Sequence, residues 1–270
     1  MAAHGDRPQE AGSGVAMYAE ERQQAMAELV TRRGRVSVVE LAKTFEVTTE
    51  TVRRDLSTLE GHGLLRRVHG GALPPDSVTW LEARLSDRDL ANTAEKERIA
   101  RAALQFLPQR EATLILDAGS TTIRLAEILP QDHRLTVFTH AVPIASRLAE
   151  QEVELHLLPG RVRSRTLAAV GVDTIAALDR VRADLAFVGT NGIGLSHGLS
   201  TPDHEEAATK SALIAAAARV VVLCDSSKIG VERTMQFAKL SDVDVLVTDD
   251  QITRAQRKEL ESTGLEVVVA

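Results

Sequence analysis

The stretch Val47-Thr48-Thr49-Glu50-Thr51-Val52-Arg53-Arg54-Asp55-Leu56 decides how the first quarter of this chain folds. Thr48 suits a helix N-cap, because its hydroxyl can accept an otherwise unpaired backbone amide. Val52, Leu56 and Leu59 then recur at i, i+4 and i+7, the apolar stripe of a helix. That periodicity turns Glu50, Arg54 and Ser57 outward, with Thr51 and Arg53 on the flanks. Upstream, Ser37-Val38-Val39-Glu40 reads as a capping box, Ser37 accepting the Glu40 amide and the Glu40 carboxylate reaching back. It opens a short helix over about Val38–Phe45. A first helix over Glu20–Arg33 precedes it and ends at Gly34. Two short helices, a tight turn and a third helix with small polar residues at its start and paired arginines make the helix-turn-helix plan. Its recognition helix enters the DNA major groove N-terminus first.

Gly61 and Gly63 stop that helix. Leu64–Val68 followed by Gly70-Gly71 reads as a strand and turn, a wing from which Arg66, Arg67 and His69 could contact phosphate. Taken alone, Arg53-Arg54 and Arg66-Arg67 each read as a solvated surface pair. The order of helices, caps and wing turns the reading towards DNA. From Met17 to Leu73 nine Lys and Arg face eight acids, a net charge of +1, so the −6 of the whole chain leaves −7 elsewhere. A near-neutral module on an acidic body implies two tasks. Residues 1–17 are small and polar and read as a disordered tail. Leu73-Pro74-Pro75-Asp76-Ser77 reads as a linker over 74–80, since adjacent prolines continue neither a helix nor a central strand. The expected division is a winged helix-turn-helix domain over 18–73 and a second domain over 81–270.

In that second domain Leu81–Leu107 reads as helical. Seven apolar, β-branched runs then read as strands: Thr113–Leu116, Leu135–Phe138, Val153–Leu157, Leu185–Val188, Val220–Cys224, Val245–Val247 and Val267–Val269. Helical stretches lie between several of them, among them Thr121–Leu129, Ala141–Ala149 and Glu205–Ala218. Alternation of this kind means an α/β domain with a mostly parallel sheet, and such sheets bind ligands at the carboxyl ends of their strands.

The residues after those strands suit an anion. Asp117-Ala118-Gly119-Ser120-Thr121-Thr122 follows one strand and opens a helix, offering hydroxyls and free amides to a phosphate. A Ser or Thr there is also an ordinary N-cap, and the stretch is neither a Walker A loop nor a dinucleotide fingerprint. Thr139-His140, Gly160, Gly189-Thr190-Asn191-Gly192 and Asp225-Ser226-Ser227-Lys228 follow other strands, so these turns converge on one rim. Glu206 and Lys210, beside Thr201, stand at i, i+4, a spacing that serves either a helix-stabilising pair or the ligand. His140 reads equally as a satisfied polar core group or as a ligand contact. Cys224 ends an apolar strand and reads as a small buried hydrophobe.

Glu21-Arg22-Gln23-Gln24, Gly34-Arg35-Val36-Ser37-Val38, Glu40-Leu41-Ala42, Val47–Leu56, and Leu59-Glu60 with Gly63–Ala72 closely resemble the DNA-binding module of the DeoR family of bacterial regulators. Asp117-x-Gly119-Ser120-Thr121-Thr122, Gly189-x-x-Gly192-Ile193, Thr201 with Glu206-Ala207-x-x-Lys210, and Asp225-Ser226-Ser227-Lys228 resemble that family's effector domain. The resemblance implies a fold similar to ribose-5-phosphate isomerase and CoA transferases, and a phosphorylated sugar as effector. The chain departs from the family at His140, where Asn commonly follows Thr, and at Arg161, where a second Gly often follows Gly160.

The expected function is a DNA-binding repressor of a sugar-catabolism or uptake operon, released by a phosphorylated sugar, with fructose 1-phosphate the first candidate. Its DNA contacts are expected from Ser37, Thr48, Thr49, Glu50, Thr51, Arg53, Arg54, Arg66, Arg67 and His69. Its effector contacts are expected from Asp117, Gly119, Ser120, Thr121, Thr122, Thr139, His140, Gly160, Gly189, Asn191, Thr201, Glu206, Lys210 and Lys228. The rival is a sugar-phosphate isomerase or transferase using Asp117, Glu206 or Lys228 for acid–base work; a complete winged helix is of no use to such an enzyme. Pairing of DNA half-sites implies a dimer or tetramer.

Composition trims the alternatives. Aromatics are 3% and the charge is negative, which disfavours a single-strand stacking platform or a general nucleic-acid coat. One cysteine makes neither an intrachain disulfide nor a cysteine-based zinc site, and the histidines lack metal spacing, so no metal and no cofactor are expected. No apolar leader or membrane-length run is present, and a cytoplasmic location is expected.

Overall fold

The computed structural model describes residues 19–33, 36–62, 64–68, 70–73, 84–109, 111–131 and 134–270. The expected tail over 1–17, the linker over 74–80, His69 and the start of the long helix at Leu81 lie outside the described residues. Contacts divide the chain into two units, residues 1–78 and 79–270.

The first unit runs α1 (Ala19–Arg33), β1 (Val36–Ser37), α2 (Val38–Thr44), α3 (Thr49–Gly61), β2 (Arg66–Val68) and β3 (Gly71–Leu73). Met26, Val30, Leu41, Val52, Leu56, Leu59 and Leu65 form its core, so the i, i+4, i+7 stripe of α3 does face inward. Asp55 is buried on that inner side and accepts hydrogen bonds from Arg22 Nε and Gln23 Nε2, each at 2.8 Å, clamping α1 to α3. The strands pair in the order β1-β3-β2. A Cβ at position 71 would lie 2.2 Å from the Val36 carbonyl oxygen, so glycine is what lets β3 close on β1. The capping box is only half formed. Glu40 N donates to Ser37 Oγ at 3.1 Å, but the Glu40 carboxylate takes Arg33 Nη1 at 2.6 Å instead of reaching back. A cationic donor outcompetes a neutral amide for a carboxylate.

The second unit runs α4 (Leu85–Leu90), α5 (Thr93–Ala103), β4 (Ala112–Leu116), α6 (Ser120–Glu127), β5 (Leu135–Thr139), α7 (Val142–Leu148), β6 (Glu154–Leu157), β7 (Arg161–Arg163), β8 (Ala168–Val170) and α8 (Val172–Leu178). It continues with β9 (Leu185–Gly189), β10 (Gly192–Gly194), β11 (Gly198–Thr201), α9 (His204–Ala215), β12 (Val220–Leu223), β13 (Met235–Ala238), β14 (Val245–Thr248), α10 (Arg254–Glu261) and β15 (Glu266–Val269). Seven strands form one sheet in the order β15-β14-β12-β9-β4-β5-β6, every neighbour parallel. They are the seven runs read from the sequence, each within a residue or two. Two apolar layers cover the sheet: Leu114 and Leu116 of β4 join the α5–α6–α7 side, and Ile115 the α9 side.

Two expectations need correction. The single helix over Leu81–Leu107 is broken: α4 and α5 are separated at Ala91-Asn92, where Asn92 is left-handed at φ 51°, and α5 ends in a 3-10 turn over Leu104–Phe106. Asn tolerates that conformation better than most residues, and its side-chain amide donates to Asp225 Oδ1 at 2.9 Å. The sequence reading also lacked a second, antiparallel sheet, β10-β11-β13, and the β7–β8 hairpin. Among the described residues no helix is long and apolar enough to cross a membrane.

Candidate functional site

On the first unit, Thr48 caps α3: its Oγ1 accepts Thr51 N at 3.2 Å and lies 2.9 Å from Thr51 Oγ1. Ser37 is likewise spent on capping α2. Thr49, Glu50, Arg53, Arg54, Arg66 and Arg67 are all exposed, but they are not equivalent. Arg53 Nη1 is 3.2 Å from Glu50 Oε2. Arg67 braces the wing against α3: its guanidinium donates to Ser57 Oγ and its amide to Glu60 Oε1 at 2.8 Å. Arg54 and Arg66 have no side-chain partner among the described residues, which leaves their guanidinium forks available to an anion.

On the second unit the sheet brings Asp117, His140, Gly189 and Lys210 together at the carboxyl ends of β4, β5 and β9. Asp117 is fully buried. Its Oδ2 accepts Gly189 N at 2.8 Å and the Lys210 ammonium, and its Oδ1 lies 3.0 Å from His140 Nε2. Burial alone would raise this carboxyl, but the Lys210 ammonium and then His140 override it and hold it down at about 2. Lys210 Nζ also donates to Gly189 O at 2.9 Å, and His140 Nδ1 to Ala169 O at 2.7 Å. Lys210, expected as a cation for the effector, is thus committed to Asp117 and 2% exposed. Thr139 Oγ1 donates to Leu116 O at 2.8 Å and accepts Ala141 N at 3.1 Å. Glu206 is buried, with Oε2 taking Arg163 Nη1 at 2.8 Å and Thr201 Oγ1 at 3.3 Å. These groups shape the rim and hold its loops.

What faces outward from the rim is different. Ser120 and Thr121, at the start of α6, are buried residues whose hydroxyls have no hydrogen-bond partner among the described residues. Thr122 Oγ1 is spent on Gly119 O at 2.9 Å. The Asn191 side-chain amide, partly buried, is also without a partner among the described residues. Lys228 sits in a 3-10 turn, Ser226–Lys228, where its charge outweighs only in part the burial of Asp225; with Ser227, Lys96 and Asn92 it holds that carboxyl low. Gly160 is exposed and serves the backbone instead: at φ 141° a Cβ there would meet Thr174 Oγ1 at 2.2 Å.

Lys96 is the residue that the sequence reading missed. It is 4% exposed on α5, with Nζ donating to Arg88 O and Ala91 O. Burial pushes it down to about 8; Asp225 opposes the shift, while Lys228 and Arg124 add to it. Arg124 in turn binds Asp89 and donates to Ser120 O at 3.1 Å, which brings this cationic corner to the start of α6. The signal was legible: Lys96, Ile99, Ala100 and Ala103 share the buried face of one helix. At the opposite, amino ends of the strands a cleft of about 520 Å³ is lined by Glu111, Glu152, Glu154 and Asp184 with Arg134. Four carboxylates against one arginine make it unsuited to an anion.

Residues 22–78 match the family model described as the DeoR-like helix-turn-helix domain, and residues 91–250 the DeoR C terminal sensor domain. The chain is 36% identical over 252 residues to the HTH-type transcriptional regulator GlpR of Haloferax volcanii, covering 93% of this chain and 98% of that one. It is 34% identical over 233 residues to the glycerol-3-phosphate regulon repressor of Escherichia coli (strain K12), covering 85% and 90%. Among solved structures, ribose 5-phosphate isomerase A from Methanocaldococcus jannaschii aligns with a TM-score of 0.39 at 17% identity, over 52% of this chain and 55% of that one.

Proposed function

The chain belongs to the DeoR family of transcription regulators, and from that premise we propose a repressor of a sugar-catabolism or uptake operon that a phosphorylated sugar releases from its operator. In this reading α3 and the wing hold the DNA, with Arg54 and Arg66 as the principal free cations. The effector's phosphate sits at the start of α6, on the Ser120 and Thr121 hydroxyls and the first helix amides, with Lys228 and Lys96 as its cations. Asn191 binds a sugar hydroxyl. Asp117, His140 and Lys210 hold the loops and do not touch the phosphate, since a carboxylate facing it would repel it.

The observation that carries this reading over the enzymatic one is the state of Asp117. A general base works best with a pKa near the operating pH and with reach to its substrate. Asp117 is sealed, paired on both oxygens and held far below that range. Glu206 is equally committed to Arg163 and Thr201. Two of the three candidate acid–base groups, Asp117 and Glu206, are thus occupied in holding the rim together, which leaves Lys228 as a cation for the effector.

Fructose 1-phosphate is the first candidate effector and glycerol 3-phosphate the second, the latter suggested by the similarity to the Escherichia coli glycerol-3-phosphate regulon repressor. Calorimetric titration of the full chain with each, and with fructose and glycerol as neutral controls, tests the reading. Binding of the phosphorylated form alone, lost in Ser120→Ala or Lys228→Ala, is the expected result. Equal binding of the neutral sugar would refute the phosphate site. Conversion of ribose 5-phosphate to ribulose 5-phosphate would favour the enzyme.

A further inference from the structure

The first described element of the second unit is α4, and its first residue is tied to the β7–β8 hairpin. Leu85 N donates to Arg165 O, in the turn of that hairpin, at 2.8 Å. The body of the hairpin is fastened to the rim from two sides. On β7, Arg163 splits its guanidinium between Glu206 Oε2 at 2.8 Å and Asp203 Oδ2 at 3.1 Å, the first at the start of α9 and the second its N-cap. Its side chain is 12% exposed, so this fork is shielded from solvent. One turn along α9 stands Lys210, which holds Asp117. On β8, Ala169 exchanges bonds with His140: Ala169 N donates to His140 O at 2.7 Å and His140 Nδ1 to Ala169 O at 2.7 Å. His140 is the other side chain on Asp117.

The turn between these strands is strained. Leu167 adopts φ 53°, a left-handed conformation that a leucine rarely takes, and its side chain is 41% exposed, so burial does not hold it there. Hydrogen bonds do: Leu167 N donates to Arg163 O at 2.8 Å and Val142 N to Leu167 O at 2.9 Å. Strain of this kind persists only while the surrounding contacts over-determine it. A shift in the contacts of Arg163 and Ala169, on the hairpin's two strands, therefore has a conformational release in the adjoining turn, where Leu85 is held.

We propose that the β7–β8 hairpin carries the state of the strand-end rim to α4, with Arg163 as its positioning residue. The inference rests on the reading of that rim as the effector site. It predicts a coupling free energy between effector and operator that passes through contacts touching neither ligand.

The test measures affinity of the full chain for a duplex it selects from a random-sequence pool, with and without fructose 1-phosphate or glycerol 3-phosphate. Arg163→Met keeps the bulk and removes the fork. Leu85→Pro removes the donor amide at α4, where proline fits a first helical position and Arg84, at φ −61° and ψ 155°, suits the residue before it. Because it also truncates a leucine packed in the core, it is read against Leu85→Ala, which keeps the amide. Arg163→Met and Leu85→Pro are both expected to bind duplex and sugar phosphate within about threefold of the parent. The fall in duplex affinity caused by the sugar phosphate should shrink about tenfold or more, within the usual range of such couplings. Arg163→Lys should restore part of it. Release unchanged from the parent in both variants would overturn the proposal. If neither sugar phosphate binds the parent, the effector reading fails, and amide exchange decides the hairpin: Arg163→Met should speed exchange at Leu85 about tenfold while β14 is unmoved. Unchanged protection at Leu85 would then overturn it.

Discussion

Lys210 and Lys96 are both buried lysines, yet their surroundings give them opposite parts. Lys210 lies against Asp117 and neutralises it. Lys210→Met would leave that carboxylate sealed with only His140 and the Gly189 amide beside it and no lysine to neutralise it, and removing one partner of a buried pair costs about 3–5 kcal/mol. Urea unfolding should show a loss of that order, and a loss under about 1 kcal/mol would argue against the pairing. The pH sign follows from Asp117 being held at about 2 in the fold against 3.8 unfolded. Its contribution, on the order of 2 kcal/mol, is present above pH 4 and lost as pH falls towards 2. Asp117→Asn should flatten that acid limb. Lys96 is held at about 8 and is only partly charged in mildly alkaline solution. An anion bound beside it must draw a proton in, so effector affinity should fall as pH rises through 8, by up to about tenfold per unit. Titrations at pH 7, 8 and 9 should show the fall, and Lys96→Met should abolish it. Since Lys96 is depressed, its sign for folding is opposite to that of affinity: stability rises between about 8 and the ordinary 10.5.

At the scale of elements, the recognition helix and the wing divide their arginines by what already holds them. Arg54→Ala should weaken operator binding by about 1–3 kcal/mol if it reaches a base edge, and Arg66→Ala should lower the salt dependence by about one unit of slope. Arg67→Ala should act mainly through the wing, because Arg67 is bonded to Ser57 and Glu60. Equal salt-slope changes for Arg66→Ala and Arg67→Ala would contradict that division. The sequence already carried most of this architecture. Thr48 as a cap, the Val52-Leu56-Leu59 stripe and the seven β-branched runs are local patterns, and local patterns survive folding. What it hid depends on distant partners. Asn92 breaks a helix because Asp225, far along the chain, receives its amide. Strands β10 and β11 carry Gly192, Gly194 and Gly198, of which Gly192 reads from the sequence as part of a turn. Yet a Cβ at Gly192 would meet the Val231 carbonyl oxygen at 2.3 Å, so glycine there serves close packing. The commitment of Lys210 to Asp117, 93 residues away, likewise had no local signature.

For the whole molecule, charge sets the terms. The chain is −6 overall, while the segment around the winged helix is slightly positive, so neither ligand is gathered by a general field. DNA must be held by a few free arginines, and a single such module binds too little surface for tight specificity. Light scattering at micromolar concentration should therefore report at least a dimer; a monomer with and without DNA would contradict the pairing of half-sites. The central claim is that one chain binds operator DNA and lets go of it when a sugar phosphate occupies the strand-end rim. Fluorescence anisotropy of the selected duplex, titrated with fructose 1-phosphate, glycerol 3-phosphate and the two neutral parents, measures this directly. Release by a phosphorylated form alone, lost in Lys228→Ala while duplex affinity is kept, is the expected outcome. Release by the neutral sugars at equal concentration, or no selected duplex at all, would contradict it.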